Sequence, residues 1–126
     1  MSQQTTTDPP APFLMADLVA LPSVPCPCGT SRRAFVGENG APCSIHRVEI
    51  SRDARPHYHK QLTEIYYFLE GEGYLELDGA LHPVRPGMAV LIRPGTRHRA
   101  VVRSGTMTIL NVVAPPFDPC DEWLDP

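Results

Sequence analysis

The sequence predicts an all-β protein that folds as one barrel. Its 15 prolines and nine glycines are too many for a helical protein and too evenly dispersed for a disordered one. Residues 34–114 consist of short β-rich runs separated by Gly, Pro and Asp-Gly signals, at the spacing of a sandwich or barrel. A chain of 126 residues is long enough for one domain of this kind and too short for two.

The strands follow from these interruptions. They are predicted at residues 34–38, 43–51, 57–59, 63–70, 73–78, 80–85, 88–92, 97–103 and 106–113. Asp78-Gly79 is typical of a two-residue hairpin turn, because both residues accept a positive φ. The one helix candidate is residues 13–21, which end at Pro22 and form either a short helical or an extended segment.

Three segments are predicted along the chain. They are an N-terminal extension (1–33), the barrel (34–114) and a C-terminal tail packed on the barrel (115–126). Residues 1–10 are polar and are expected to lie on the surface. The prolines of the tail exclude it from a central strand, so Phe117 and Trp123 are expected to pack outside the barrel or across a subunit contact.

Composition excludes several partners. Eleven Lys and Arg against 14 Asp and Glu give a net charge of −3, so no basic surface is expected to bind nucleic acid. No run approaches the roughly 18 apolar residues of a membrane span, and no secretory signal pattern is present. We therefore expect a soluble, cytoplasmic protein.

The cysteines are expected to be reduced thiols. There are four of them: Cys26, Cys28, Cys43 and Cys120. Structural zinc sites use two Cys-x2-4-Cys pairs, which the Cys-x-Cys spacing of Cys26 and Cys28 does not match. The sequence does not indicate a role for this pair.

Three of the five histidines and one glutamate predict a metal site. His57 and His59 are two residues apart, so an extended strand directs both imidazoles to one face. Glu64 follows beyond a polar turn, and a hairpin would return its carboxylate to the imidazoles. His98 alternates with Arg97 and Arg99, which directs His98 inward.

This ligand set fits one divalent transition-metal ion. Three imidazoles and a carboxylate offset much of the ion's charge and leave positions open for water or substrate. Such N3O ligation suits Fe, Mn, Ni, Co, Cu or Zn, and the sequence does not choose among them.

The spacing His57-x-His59-x4-Glu64-x6-Gly71, followed by Gly87-x7-Gly95-x2-His98, resembles the paired motifs of the cupin superfamily. The resemblance implies a single-domain, jelly-roll-like barrel, often a homodimer, with one metal held by the four residues. The tail is similar to that of small sugar-isomerase-like cupins. Ser51, Arg93 and Val102 depart from the usual motif residues, and none of them is at a ligand position.

Strand alternation places further residues in the interior. If Glu64 points inward, Tyr66 and Phe68 do too, which makes Tyr66 the proton-transfer candidate and gives Phe68 a place in shaping the cavity. Tyr66 is similar in position to a catalytic tyrosine of cupin lyases that act on dimethylsulfoniopropionate, and the alternative is that it simply fills the barrel. His46 could support the ligands, polarise a substrate or be structural, and His82 is expected to be exposed.

Two functions are compatible with this set of residues. The preferred one is a metal-dependent enzyme acting on a small polar molecule, of isomerase, lyase, decarboxylase or dioxygenase type. The alternative is a metal-containing barrel that binds or senses a small ligand without turnover. Polar groups converging near the ion would favour the enzyme, and an apolar interior would favour the binding protein.

Overall fold

The structure is a computed structural model that describes residues 9–126. Within these residues it contains nine antiparallel strands and one short 3-10 helix. The strands are β1 Val24–Cys26, β2 Gly29–Ala34, β3 Ser44–Ile50, β4 Thr63–Glu70, β5 Gly73–Leu77, β6 Ala80–Val84, β7 Ala89–Ile92, β8 His98–Val102 and β9 Met107–Ala114, and the 3-10 helix is Pro119–Asp121. The predicted all-β fold is confirmed. No helix in the described part of the chain has the length and hydrophobicity needed to cross a membrane.

The strands form two sheets that enclose an apolar core. One sheet has six strands in the order β1-β2-β3-β9-β4-β7, and the other has three in the order β6-β5-β8. Leu75, Phe68, Met107 and Ile109 are buried between them. The predicted hairpin turn joins β5 to β6, where Asp78 and Gly79 have positive φ values of 47° and 86°.

The N-terminal part of the sheet differs from the prediction. The strand expected at 34–38 is instead β2, and it ends at Ala34 because Phe35 adopts a positive φ of 68°. Both β1 and β2 belong to the six-stranded sheet, so the sheet includes part of the segment predicted as an extension.

The segment 13–21 is not helical. It contains a single turn, in which the carbonyl of Asp17 accepts hydrogen bonds from the amides of Ala20 and Leu21. Phe13 and Met15 are exposed, so this segment has no apolar face packed on the barrel that would stabilise a helix. Of the two conformations predicted for this segment, helical or extended, the structure shows the extended one. Residues 1–8, which were predicted to lie on the surface, are outside the described residues.

Candidate metal centre

The structure brings the four predicted ligands together. One potential ligand atom from each of His57, His59, Glu64 and His98 lies within 4.8 Å of the other three. His57 precedes β4 and forms a two-way backbone bridge with His98 at the start of β8, with N–O distances of 3.1 and 2.8 Å. Glu64 points inward from β4, in the predicted alternation that also buries Tyr66 and Phe68.

Glu64 is the centre of this cluster. Its Oε1 atom lies 2.8 Å from Nε2 of His59 and 2.9 Å from Nε2 of His98. Its Oε2 atom accepts a short hydrogen bond from Nδ2 of Asn111 on β9. Burial alone would raise the pKa of this carboxyl, but the contacts with His59 and His98 outweigh burial and hold it well below its usual value. Glu64 is therefore an anion at neutral pH.

Backbone carbonyls orient two of the imidazoles. Nδ1 of His59 donates to the carbonyl of Asp121 at 2.6 Å, and Nδ1 of His98 donates to the carbonyl of Thr96 at 2.8 Å. Because a carbonyl only accepts, the proton of each neutral ring is on Nδ1, and the Nε2 lone pair faces Glu64. Two lone pairs directed at one carboxylate need a positive charge between them.

The donor set fits a divalent cation. Nε2 of His59 is buried and has no hydrogen-bond partner, although it lies 2.8 Å from Oε1 of Glu64. Burial opposes protonation of His59, yet the neighbouring carboxylate of Glu64 raises its pKa. The raised pKa shows that this position favours a positive charge. In the metal-free protein a proton supplies that charge, and a bound metal ion would supply it instead. The cluster could therefore hold a metal ion.

His57 completes the cluster from the more accessible side. Its side chain is half-buried, its ring centroid lies 4.3 Å from that of His98, and its Nε2 lies 3.7 Å from Oε1 of Glu122. Burial and the neighbouring His98 lower the pKa of His57 to about 4. A neutral imidazole is the form that binds metal, so His57 is ready to do so at neutral pH.

Asp121 is a residue of the site that the sequence did not predict. Its carboxylate accepts hydrogen bonds from the backbone amides of Lys60, Gln61 and Leu62, at 2.9, 2.8 and 3.0 Å, and from Nε1 of Trp123 at 3.0 Å. These bonds outweigh the effect of burial and lower its pKa to about 2. Asp121 thus fixes both the loop after His59 and, through its carbonyl, the His59 ring.

A cavity of about 110 Å³ adjoins the cluster. Four of the polar side chains that line it lie side by side on neighbouring strands. They are Arg33 on β2, His46 on β3, Asn111 on β9 and Tyr66 on β4. His46 is buried and its Nε2 bonds to Oγ of Ser44 at 2.8 Å, so this nitrogen already has a partner. The interior is therefore polar on the side of the six-stranded sheet.

Other predicted residues have different positions. Phe68 does not line this cavity but is fully buried in the core, because β4 continues past the cavity into the apolar region between the sheets. Phe117 does line it, with its ring 5.3 Å from that of His46. Trp123 packs on the barrel beside Tyr58, through a backbone bridge, and His82 is exposed as predicted.

Comparison with known proteins identifies the family. A family model of the cupin domain matches residues 44–113. The chain is a cupin. It is similar to the L-ectoine synthase of Mycolicibacterium vanbaalenii, with 34% identity over 89 residues that cover 68% of this cupin and 68% of the relative.

Solved structures agree with this assignment. A protein from Planctomyces limnophilus is 41% identical, with a TM-score of 0.83 over 90% of this cupin and 98% of that chain. The ectoine synthase from P. lautus is 22% identical, with a TM-score of 0.73 over 90% and 92% of the two chains, a likeness that shows the fold.

Proposed function

We propose that this cupin binds one divalent transition-metal ion through His57, His59, Glu64 and His98 and is an enzyme acting on a small polar molecule with an anionic group. When bound, the ion would supply a Lewis acid that orients a substrate oxygen and stabilises negative charge developing on it. The donor set suits Fe, Mn, Ni, Co, Cu or Zn.

One observation carries this proposal. Within residues 9–126, four buried side-chain polar atoms lack a hydrogen-bond partner: Oγ of Ser31, Nε of Arg33, Nε2 of His59 and Oδ1 of Asn111. All four residues line the cavity beside the candidate metal centre. Because buried polar groups without partners destabilise a fold, their concentration on one cavity supports a bound polar ligand there.

Arg33 supports an anionic group on that ligand. Its guanidinium carbon lies 4.4 Å from the centroid of the Phe117 ring, and it has no salt bridge within the described residues. Burial and the charge of Arg33 lower the pKa of the neighbouring His46 to about 4, so His46 is neutral and leaves the cation uncompensated. A carboxylate or similar group of the substrate would offset this charge.

Tyr66 supports an elimination or isomerisation, in which the protein moves a proton. The Tyr66 ring centroid lies 6.0 Å from that of His98, and the side chain lines the cavity. Burial and the charge of Glu64 raise the pKa of the phenol well above its usual value, so Tyr66 is protonated in the metal-free protein, and a metal ion bound beside it would oppose this shift and make the phenol a better proton donor. The likeness to L-ectoine synthase also favours turnover over binding alone.

A substrate panel tests the proposal. Metal-loaded wild type and Tyr66→Phe would be assayed for turnover and for ligand binding on small amino and hydroxy acids, including the substrate of L-ectoine synthase. We expect wild type to convert a member of the panel, and Tyr66→Phe to bind it with little change while turnover falls by about 100-fold or more. Equal rates would contradict the role of Tyr66, and binding without turnover across the panel would favour a non-catalytic barrel.

A further inference from the structure

The turn between β1 and β2 carries two thiols that the metal centre does not use. Cys26 ends β1, Pro27 and Cys28 form the two-residue turn, and Gly29 begins β2. The Sγ atoms of Cys26 and Cys28 lie 3.5 Å apart. Both side chains are partly buried and line the same cavity as Tyr66.

The neighbouring chain fixes this turn. The guanidinium of Arg52 donates to the carbonyls of Pro27 and Cys26, at 2.9 and 3.2 Å, and the amide of Ser51 donates to the carbonyl of Cys28 at 2.9 Å. Gly29 approaches the next strand so closely that a Cβ atom there would lie 2.0 Å from the carbonyl oxygen of Glu49. The two sulfurs are therefore held facing each other by contacts with the backbone.

The two thiols have different chemical character. The hydrogen bond from Cys28 is the largest influence on Cys26 and lowers its pKa to about 6, whereas the same contact, with burial, raises the pKa of Cys28 far above its usual value. These opposite shifts favour a thiolate on Cys26 hydrogen-bonded to a thiol on Cys28. Thiol–disulfide exchange needs an attacking thiolate and a nearby second sulfur that resolves the mixed disulfide.

We propose that Cys26 and Cys28 form a reversible disulfide by exchange with a small-molecule disulfide. The Cys26 sulfur attacks one sulfur of the small disulfide, whose S–S bond breaks and releases one thiolate, leaving a mixed disulfide on Cys26. That thiolate takes the proton of Cys28, whose sulfur then attacks Sγ of Cys26 and displaces the second small thiolate. One thiolate and one thiol of the protein are oxidised to a disulfide, and one small disulfide is reduced to one thiol and one thiolate.

The geometry requires only a small movement for this bond. A disulfide has an S–S length of about 2.05 Å, so the sulfurs must approach by roughly 1.5 Å from their separation of 3.5 Å. One residue separates the two cysteines, and the strain of so small a ring keeps the bond easy to reduce. The modification alters the cavity wall without involving a metal ligand, so it does not depend on the proposed enzymatic activity.

Mass spectrometry of the full chain tests the proposal. Reduced protein, with and without bound metal, would be incubated with oxidised glutathione, and its free thiols then blocked with a maleimide. We expect two of the four cysteines to escape the label, and the peptide containing Cys26 and Cys28 to be lighter by two hydrogen atoms until dithiothreitol is added. Labelling of all four thiols, or a bond that joins other cysteines or two chains, would overturn the proposal.

Serine variants separate the two steps. Cys28→Ser is expected to retain glutathione on Cys26, because the resolving sulfur is gone. Cys43→Ser and Cys120→Ser are matched controls that should form the disulfide as wild type does. If Cys28→Ser acquired no glutathione, Cys26 would not be the attacking thiol and the proposal would be wrong.

Discussion

His59 and His98 present the same atom to the same carboxylate, but different parts of the chain hold them in place. Nδ1 of His98 donates to the carbonyl of Thr96, two residues earlier, whereas Nδ1 of His59 donates to the carbonyl of Asp121, 62 residues later. One ligand is thus oriented by its own turn and the other by the C-terminal tail. The tail is therefore part of the candidate metal centre.

The largest effect is expected from removing either ligand. His59→Ala and His98→Ala should each lower the affinity for a divalent metal by more than about 100-fold, because each ring supplies a buried Nε2 beside Glu64. Competition with a chelating dye would measure the affinities, with the exposed His82→Ala as the matched control. Wild-type affinity in one of the two variants would remove that histidine from the site.

The next effect distinguishes the two anchors. Asp121→Ala removes four hydrogen bonds that fix the tail and the loop after His59, so metal affinity should fall by about 10- to 100-fold and the melting temperature should decrease. Asp118→Ala is the control, since the Asp118 carboxylate caps the 3-10 helix of the same tail by accepting from the amide of Cys120, whereas the loop amides donate to Asp121. If both variants bound metal alike, the tail would not position His59 through Asp121.

His46 is a buried histidine that differs from His59 and His98, because its Nε2 bonds to Oγ of Ser44 rather than to the carboxylate of Glu64. Burial and the charge of Arg33 lower its pKa from 6.5 to about 4. The unfolded chain therefore takes up the proton first as the pH falls, and the free energy of unfolding decreases between pH 6.5 and about 4 but is unaffected above that window. In the metal-free protein, His46→Gln should remove about 3 kcal/mol of this decrease.

Denaturant unfolding of wild type and His46→Gln across this pH window would measure the difference. His57 also has a pKa lowered to about 4 and contributes to both proteins, so only the difference between them reports on His46. The same dependence on pH in the two proteins would show that His46 does not titrate as its surroundings indicate.

The smallest effect concerns a single bond within the tail. Trp123→Phe keeps an aromatic ring on the barrel but removes the indole N–H that donates to Asp121 at 3.0 Å. The free energy of unfolding should fall by about 1 kcal/mol, measured by denaturant unfolding, with metal affinity nearly unchanged. A loss of affinity as large as that of Asp121→Ala would mean that Trp123, rather than the loop amides, holds Asp121 in place.

The same contrast explains how far the sequence could predict the site. The inward orientation of His57, His59, Glu64 and His98 follows from strand alternation and nearby turns, whereas the meeting of His98 with Glu64, 34 positions away, was implied by the resemblance to the cupin motifs. The roles of Asp121 and Asn111 were not predictable. Their hydrogen-bond partners are about 50 to 60 positions away in the sequence, and no local pattern shows that an Asp or Asn bonds to them.

The fold shows a similar division. Strand β4 has the predicted bounds because alternation and glycines define it, whereas β2 was predicted too late in the chain. The residues of β2 that point inward include Gly29, Ser31 and Arg33, which are not apolar and therefore do not give the sequence pattern of a buried strand. Ser31 and Arg33 point inward because they line the cavity.

The central claim is that four side chains bind one metal ion. Elemental analysis of purified wild type and Glu64→Gln, with both shown to be folded by circular dichroism, tests it most directly. We predict about one divalent transition-metal ion per chain in wild type and less than about a tenth of that in the variant, because the carboxylate is the only anion of the cluster. Equal metal content in the two proteins, or none in wild type after incubation with transition metals, would contradict the account.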